Sequence, residues 1–171
     1  MMMAIVALTL FVACEGGDEG GSKNPGSEDN TPKAFTFENI RKEHTTIHLD
    51  ILPEDKASEY IVFISEVKHF QANRIDTVDE LLEDDHLYFR EMATEYNMTM
   101  HEFLSKVGWL TTGDKLNYGA INLYPATDYV VYCYGVEFED DDHYTATTDV
   151  CYALITTTAP EFIDAEFSIT P

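Results

Sequence analysis

The 171 residues suit one domain with appendages, and 44% hydrophobic content with 10 Phe and 10 Tyr supplies a core, which excludes a wholly disordered chain. The formal net charge of -22, from 32 acids against 10 bases, repels phosphate backbones and anionic lipid surfaces. Nucleic acid is excluded as a charge-held partner, and solubility is the plain meaning of the acidity.

Met1 to Val12 is an apolar run that ends in Phe11-Val12-Ala13-Cys14, with no charge until Glu15. Such a run is too short to span a bilayer, which takes roughly twenty residues, and it matches the apolar region of a signal peptide. A small residue before cysteine has the form of a lipoprotein cleavage site. Residues 1–14 are therefore expected to be a signal peptide with Cys14 as the acylated residue, held in the outer membrane by two or more chains. Phe11 stands where Leu is usual, and no Lys or Arg precedes the apolar run. Residues 15–33, from Glu15-Gly16-Gly17-Asp18-Glu19 through a Ser, Asn, Asp and Pro-rich stretch, cannot bury a core and predict a flexible acidic linker. The acidic run after Cys14 resembles the surface-export tags of Bacteroidetes lipoproteins, which implies display at the cell surface.

From Ala34 onward the pattern is that of strands. Phe35 to Ile40 alternates. Thr45 to Leu52 alternates with Ile47, Leu49 and Ile51 on one face, and Pro53 is expected to stop it. Tyr60 to Val67 is apolar on both faces. The period then becomes helical: Thr77-Val78-Asp79-Glu80 is a capping box, and Val78, Leu81, Leu82, Phe89, Met92, Ala93 and Tyr96 form one stripe. The acids Asp79, Glu80, Glu83, Asp84 and Asp85 suit the positive end of the helix dipole. A second box, Thr99-Met100-His101-Glu102, opens a shorter helix that stops near Gly108. A two-helix insertion at about residues 76–108 thus interrupts the strands. Lys115 to Leu123, Asp128 to Phe138 and Ala146 to Thr157 complete six strands, and Pro160 closes the unit.

Leu123-Tyr124-Pro125-Ala126-Thr127-Asp128-Tyr129 resembles the fibronectin type III pattern that leads into the F strand, with Leu123, Pro125, Thr127 and Tyr129 at the family's spacing. Thr156-Thr157 after an apolar strand is similar to that family's last strand. The resemblance covers residues 34–160 and implies a mainly β, antiparallel immunoglobulin-like or fibronectin III-like sandwich with the helical insertion on one sheet. It also implies that the Tyr129 hydroxyl ties back to backbone as a corner. Modules of this kind, as found in Bacteroidetes surface lipoproteins, bind or space. Residues 161–171 are either simple tail or the first strand of a following module, since Glu166-Phe167-Ser168-Ile169 is similar to Ala34-Phe35-Thr36-Phe37.

A hairpin centred near Asp142 puts Cys133 opposite Cys151 on the core face. A cross-strand disulfide is allowed in an oxidising compartment; two buried thiols packed as small hydrophobes are the alternative. The same register puts Tyr132 opposite Tyr152, with Tyr134 and Val130 on the outer face beside Ile61 and Phe63. That apolar face requires cover. The inserted helices are expected to supply it, and the alternatives are a sugar-stacking platform of Tyr132, Tyr134 and Tyr152 or a docking face for another module. Asp140, Asp141 and Asp142 could gather a calcium ion but lack the spacing of a calcium loop. The histidines show no zinc spacing, and no phosphate loop, nucleophile elbow or paired-carboxylate motif occurs, so neither a cofactor nor a reaction is expected.

The sequence thus predicts a non-catalytic surface lipoprotein domain that binds a glycan or protein, or spaces. A second hypothesis is the accessory module of a longer secreted glycan-degrading enzyme or peptidase. A third is a protease inhibitor acting through the loop at Asp140 to His143.

Overall fold

A computed structural model of the protein describes residues 34–160 together with the backbone of a two-residue strand, β1 (Val12–Ala13). The expectations for Cys14, the linker and residues 161–171 lie outside the described residues. Among the described residues the chain is mainly β, with two sheets and three helices.

Alternation drives the first sheet. In β2 (Phe35–Lys42), Phe35 and Phe37 point inward, and a bulge at Asn39, with φ 51°, ends the regular pattern. In β3 (Ile47–Pro53), Ile47, Leu49 and Ile51 are fully buried. The strand ends at Pro53 as expected, with the proline itself as its last residue, opposite Phe35, where its missing N–H costs little. With β6 (Lys115–Ala120), these strands form an antiparallel sheet in the order β2-β3-β6.

The second sheet has the order β1-β9-β7-β4-β5, where β4 is Glu59–Glu66, β5 is Leu110–Thr112, β7 is Asp128–Asp140 and β9 is Cys151–Thr156. Its pairings are antiparallel apart from β1 on β9. The inward residues of β4, β7 and β9, namely Tyr60, Val62, Tyr129, Val131, Cys133, Cys151, Ala153 and Ile155, meet Phe35, Phe37, Ile47, Leu49 and Ile51 in one core.

The hairpin corrects the sequence reading in an instructive way. The strand expected over Ala146 to Thr157 is two pieces, β8 (His143–Ala146) and β9. Phe138 faces Tyr144 and Val136 faces Ala146, a register that would bring Asp149 opposite Cys133 if continued. Cys133 instead faces Cys151, because the chain at Thr147–Val150 makes a two-residue excursion over Gly135. The Gly135 N–H donates to Thr148 Oγ1 at 2.9 Å, and its carbonyl accepts from the Thr147 N–H at 2.8 Å. A Cβ on Gly135 would lie 2.7 Å from Thr147 Oγ1, so this close crossing requires glycine.

The insertion holds three helices rather than two and begins sooner than residue 76. α1 (Val67–Asn73) follows directly from β4, before α2 (Val78–Glu95) and α3 (Met100–Val107). Both expected capping boxes are formed, by Thr77 with Glu80 and by Thr99 with Glu102. α1 has no side-chain cap at Glu66, so nothing in the sequence marks its start. Ile61, Val130, Tyr132 and Tyr134 on the outer sheet face join Phe70, Leu81, Phe89, Ala93, Phe103 and Leu104 of the helices in a second core. The helices cover the face that required cover.

Candidate functional site

The helix-covered face carries the chemistry. Successive even positions of β7 place Tyr132 and Tyr134 side by side, their rings stacked at 6.5 Å with 8° between planes. They are 1% and 0% exposed, and Tyr152 is 8% exposed, which overturns an open ligand platform formed by these three rings. Their hydroxyls point up into the helix layer and meet Asp85 on α2. Tyr132 donates to Asp85 Oδ1 at 2.5 Å, and Tyr134 donates to Asp85 Oδ2 at 2.9 Å. Asp85 lies four residues after Leu81 and four before Phe89, in the middle of the buried stripe, and is 2% exposed.

Burial pushes the Asp85 carboxyl up to about 7; the two tyrosine hydrogen bonds pull the other way and offset only part of it. Burial first, then the Asp85 charge, holds the hydroxyls of Tyr132 and Tyr134 well above the ordinary tyrosine range. The network extends outward. Tyr134 and Tyr144 oxygens are 3.1 Å apart and either can donate. With Asp85 ionised, Tyr144 donates to Tyr134 and Tyr134 to Asp85. With Asp85 protonated, the same chain can run in reverse from the acid to Tyr144, so both protonation states keep their hydrogen bonds. At the outer end the ring of His86 lies 5.5 Å from that of Tyr144 and 5.9 Å from that of His143. Burial lowers the His86 pKa, with Arg90 and His143 adding to the effect.

Asp85 and Tyr132 also form part of the inner wall of a cleft of about 900 Å³ between α1, α2, the end of β4 and the loop before β7. Phe63, Phe70 and Leu81 continue its apolar floor. Leu87 and Tyr88 from α2 stand on one side and Tyr124 on the other, 49%, 41% and 64% exposed. Polar groups ring the mouth. His69 Nε2 and Asp84 Oδ2, 2.9 Å apart, join α1 to α2. Lys68 Nζ lies 2.5 Å from Glu66 Oε2 and 5.3 Å from the centre of the Tyr124 ring. An apolar floor, exposed rings and few polar groups are what small-ligand and side-chain recognition requires.

The remaining sequence-predicted positions fall elsewhere. The Tyr129 hydroxyl accepts from the Tyr124 N–H at 2.8 Å, a corner tied to backbone. Thr127 donates to the Pro125 carbonyl at 2.9 Å, Leu123 packs against the two-sheet core, and buried Thr157 bonds the Tyr124 carbonyl and the Thr127 N–H. Cys133 and Cys151 face each other as buried thiols, with no disulfide between them. Burial holds the Cys133 thiol well up, so it stays protonated and packs as a small hydrophobe.

Asp140, Asp141 and Asp142 do not assemble a calcium site, and among the described residues no three potential ligands converge on a metal. Asp140 accepts from the Asp142 N–H and pairs with His143 at 2.9 Å. The Asp142 carboxylate and the Asp141 carbonyl instead take the Met100 and His101 N–H groups at 2.9 and 3.0 Å, satisfying orphan donors at the start of α3. The loop at Asp140–His143 is thereby fastened to the helix layer.

In the sequence Asp85 stands among the acids that suit the dipole of α2, which hides it as a site residue. The available signal was its phase: a stripe running Leu81 to Phe89 needs a buried residue at 85. Nothing in the sequence singles out Glu66 and Lys68, because no cap marks the start of α1. No family model matches the chain, and no curated protein matches it.

Proposed function

We propose that the protein is a non-catalytic, lipid-anchored binding module of the outer-membrane surface, built as a fibronectin III-like sandwich, with the cleft between α1, α2 and Tyr124 as its ligand site. The observation that carries this reading is that cleft, where exposed Tyr88 and Tyr124 flank an apolar floor under a polar mouth. The strand order supports the sandwich: β2, β3 and β6 share one sheet and β4, β7 and β9 the other, as strands A, B, E and C, F, G do in immunoglobulin-type domains. The Tyr129 corner at the start of β7 supports it too. In this reading β5 returns beside β4 after the helices, so the insertion is an elaboration of one connection and leaves the sandwich intact.

A glycan or a protein side chain both suit stacked recognition. Asp85 holds its proton or charge against tyrosines of the protein itself, with both oxygens occupied, which favours a structural over a reactive role. The test is a glycan and peptide array probed with the full chain and with Tyr88→Ala/Tyr124→Ala. Ligands lost in the double variant at unchanged thermal stability support the cleft; ligands bound equally by both proteins place the site elsewhere. Anchoring is tested separately by mass spectrometry of the native protein. Acyl chains on Cys14 and loss of residues 1–13 are expected, and an intact unacylated leader contradicts it.

A further inference from the structure

The mouth of the cleft already holds a cation, and it is the chain's own. The Glu66 side chain is 18% exposed, its Oε2 is buried and takes no aligned hydrogen bond, and its compensation is the Lys68 ammonium at 2.5 Å. That ammonium lies 5.3 Å from the centre of the exposed Tyr124 ring, within cation–π range. The Lys68 side chain is 73% exposed, so it reaches the position from solvent and can leave the same way. The Lys68 end of the pair is solvated, and an incoming ammonium replaces the charge that Lys68 takes away, so the exchange costs the fold little. Asp84 and Glu91 line the same cleft, and the chain as a whole carries -22. A mostly buried carboxylate and an exposed aromatic ring that meet on one ammonium, within an acidic cleft on an acidic protein, are complementary to a positively charged ligand and steer one toward them.

We propose that the cleft recognises the ammonium group of a lysine side chain on a basic peptide segment of a partner protein, held between Glu66 and Tyr124, and that Lys68 occupies this position until the partner's lysine displaces it. The proposal rests on the reading that the cleft is the ligand site. It commits to a peptide because the group already seated there is a lysyl ammonium on an aliphatic stem, and the apolar floor of Phe63 and Phe70 beside it suits such a stem.

The full chain is titrated with tetralysine, with tetralysine acetylated on every side chain, and with glucosamine, while the amide resonances of Glu66, Lys68 and Tyr124 are followed by NMR. Tetralysine is expected to move these resonances and the acetylated peptide is not. Glu66→Gln is expected to weaken tetralysine roughly tenfold or more, the loss of a charge-assisted contact. Lys68→Met removes the internal competitor and is expected to tighten tetralysine roughly three- to tenfold, as removal of an occluded state requires. Lys42→Met, which changes the net charge equally at an exposed position on β2, is expected to leave affinity unchanged. Equal binding of both peptides overturns the proposal because the ammonium is then not what is recognised, and equal effects of Lys68→Met and Lys42→Met overturn it in favour of diffuse attraction to an acidic surface. Glucosamine binding at these resonances without tetralysine binding overturns the peptide and keeps the cleft. Binding of the probes that leaves all three resonances still overturns both.

Discussion

The two faces of the sheet built from β4, β7 and β9 are made of alternate residues of the same strands, yet they are held by different forces. Inward, Val62, Val131 and Ile155 meet Phe37, Leu49 and Ile51 in a core whose contacts are apolar throughout, apart from the hydroxyls of Tyr60 and Tyr129 reaching backbone at its margins. Outward, Tyr132 and Tyr134 meet α2 through the Asp85 carboxylate, and the helix layer leaves the cleft open beside them. Hydrophobic burial is nondirectional and indifferent to pH. A buried carboxylate with two donors fixes where α2 sits, and it responds to protons. One face is scaffold, and the other can be tuned.

The difference can be broken from either side. The largest effect is expected inside the sandwich: Leu49→Ala should cost about 2–5 kcal/mol by urea denaturation, because a fully buried leucine leaves a cavity. That loss should be the same at pH 5 and pH 8. Next comes Asp85→Ala, which leaves the Tyr132 and Tyr134 hydroxyls without their acceptor and should cost about 1–3 kcal/mol.

The Asp85→Asn variant sharpens the contrast through pH. In the folded chain the Asp85 carboxyl titrates at about 7, against about 4 for an ordinary aspartate in the unfolded chain. Between those values the folded state holds a proton that the unfolded state has lost, so the contribution of Asp85 to stability is greatest below about pH 4 and falls as pH rises to about 7. The stability of wild type minus that of Asp85→Asn should therefore decline across this window and level off above it. A difference that rises with pH, the behaviour of a carboxylate held below its ordinary range, contradicts the assignment.

Smaller effects test the frame that both faces share. Tyr129→Phe leaves the Tyr124 N–H without its hydroxyl partner and should cost about 1 kcal/mol. Ala126 sits at φ 50°, where an L side chain is strained, so Ala126→Gly should gain up to about 1 kcal/mol in the same denaturation experiment.

The inner face was legible in the sequence because alternation and burial coincide there. Ile47, Leu49 and Ile51 announce their face, and the Cys133–Cys151 register followed from parity and one turn. That register emerged although the hairpin is not continuous, since the turn lies at Asp141–Asp142 and the excursion over Gly135 keeps side chains on their expected faces. The helix layer was legible where it carries start signals, at Thr77 and Thr99, and illegible at α1, which follows β4 with no cap to separate them and buries only Phe70, too little to show a helical period. The site was the least legible part. An aspartate among the acids opening a helix looks solvated until the partners across the layer are known, and a Glu66–Lys68 pair means nothing until a loop some sixty residues away brings Tyr124 over it.

The most direct test of the contrast between the two faces is the carboxyl carbon of Asp85, followed by NMR from pH 4 to pH 9 in the full chain. A midpoint near 7 is expected, with the Tyr132, Tyr134 and Tyr144 ring resonances moving in step while those of Val62 and Val131 stay still. A midpoint near the ordinary aspartate value of about 4, or a titration that leaves the tyrosines unmoved, would contradict it.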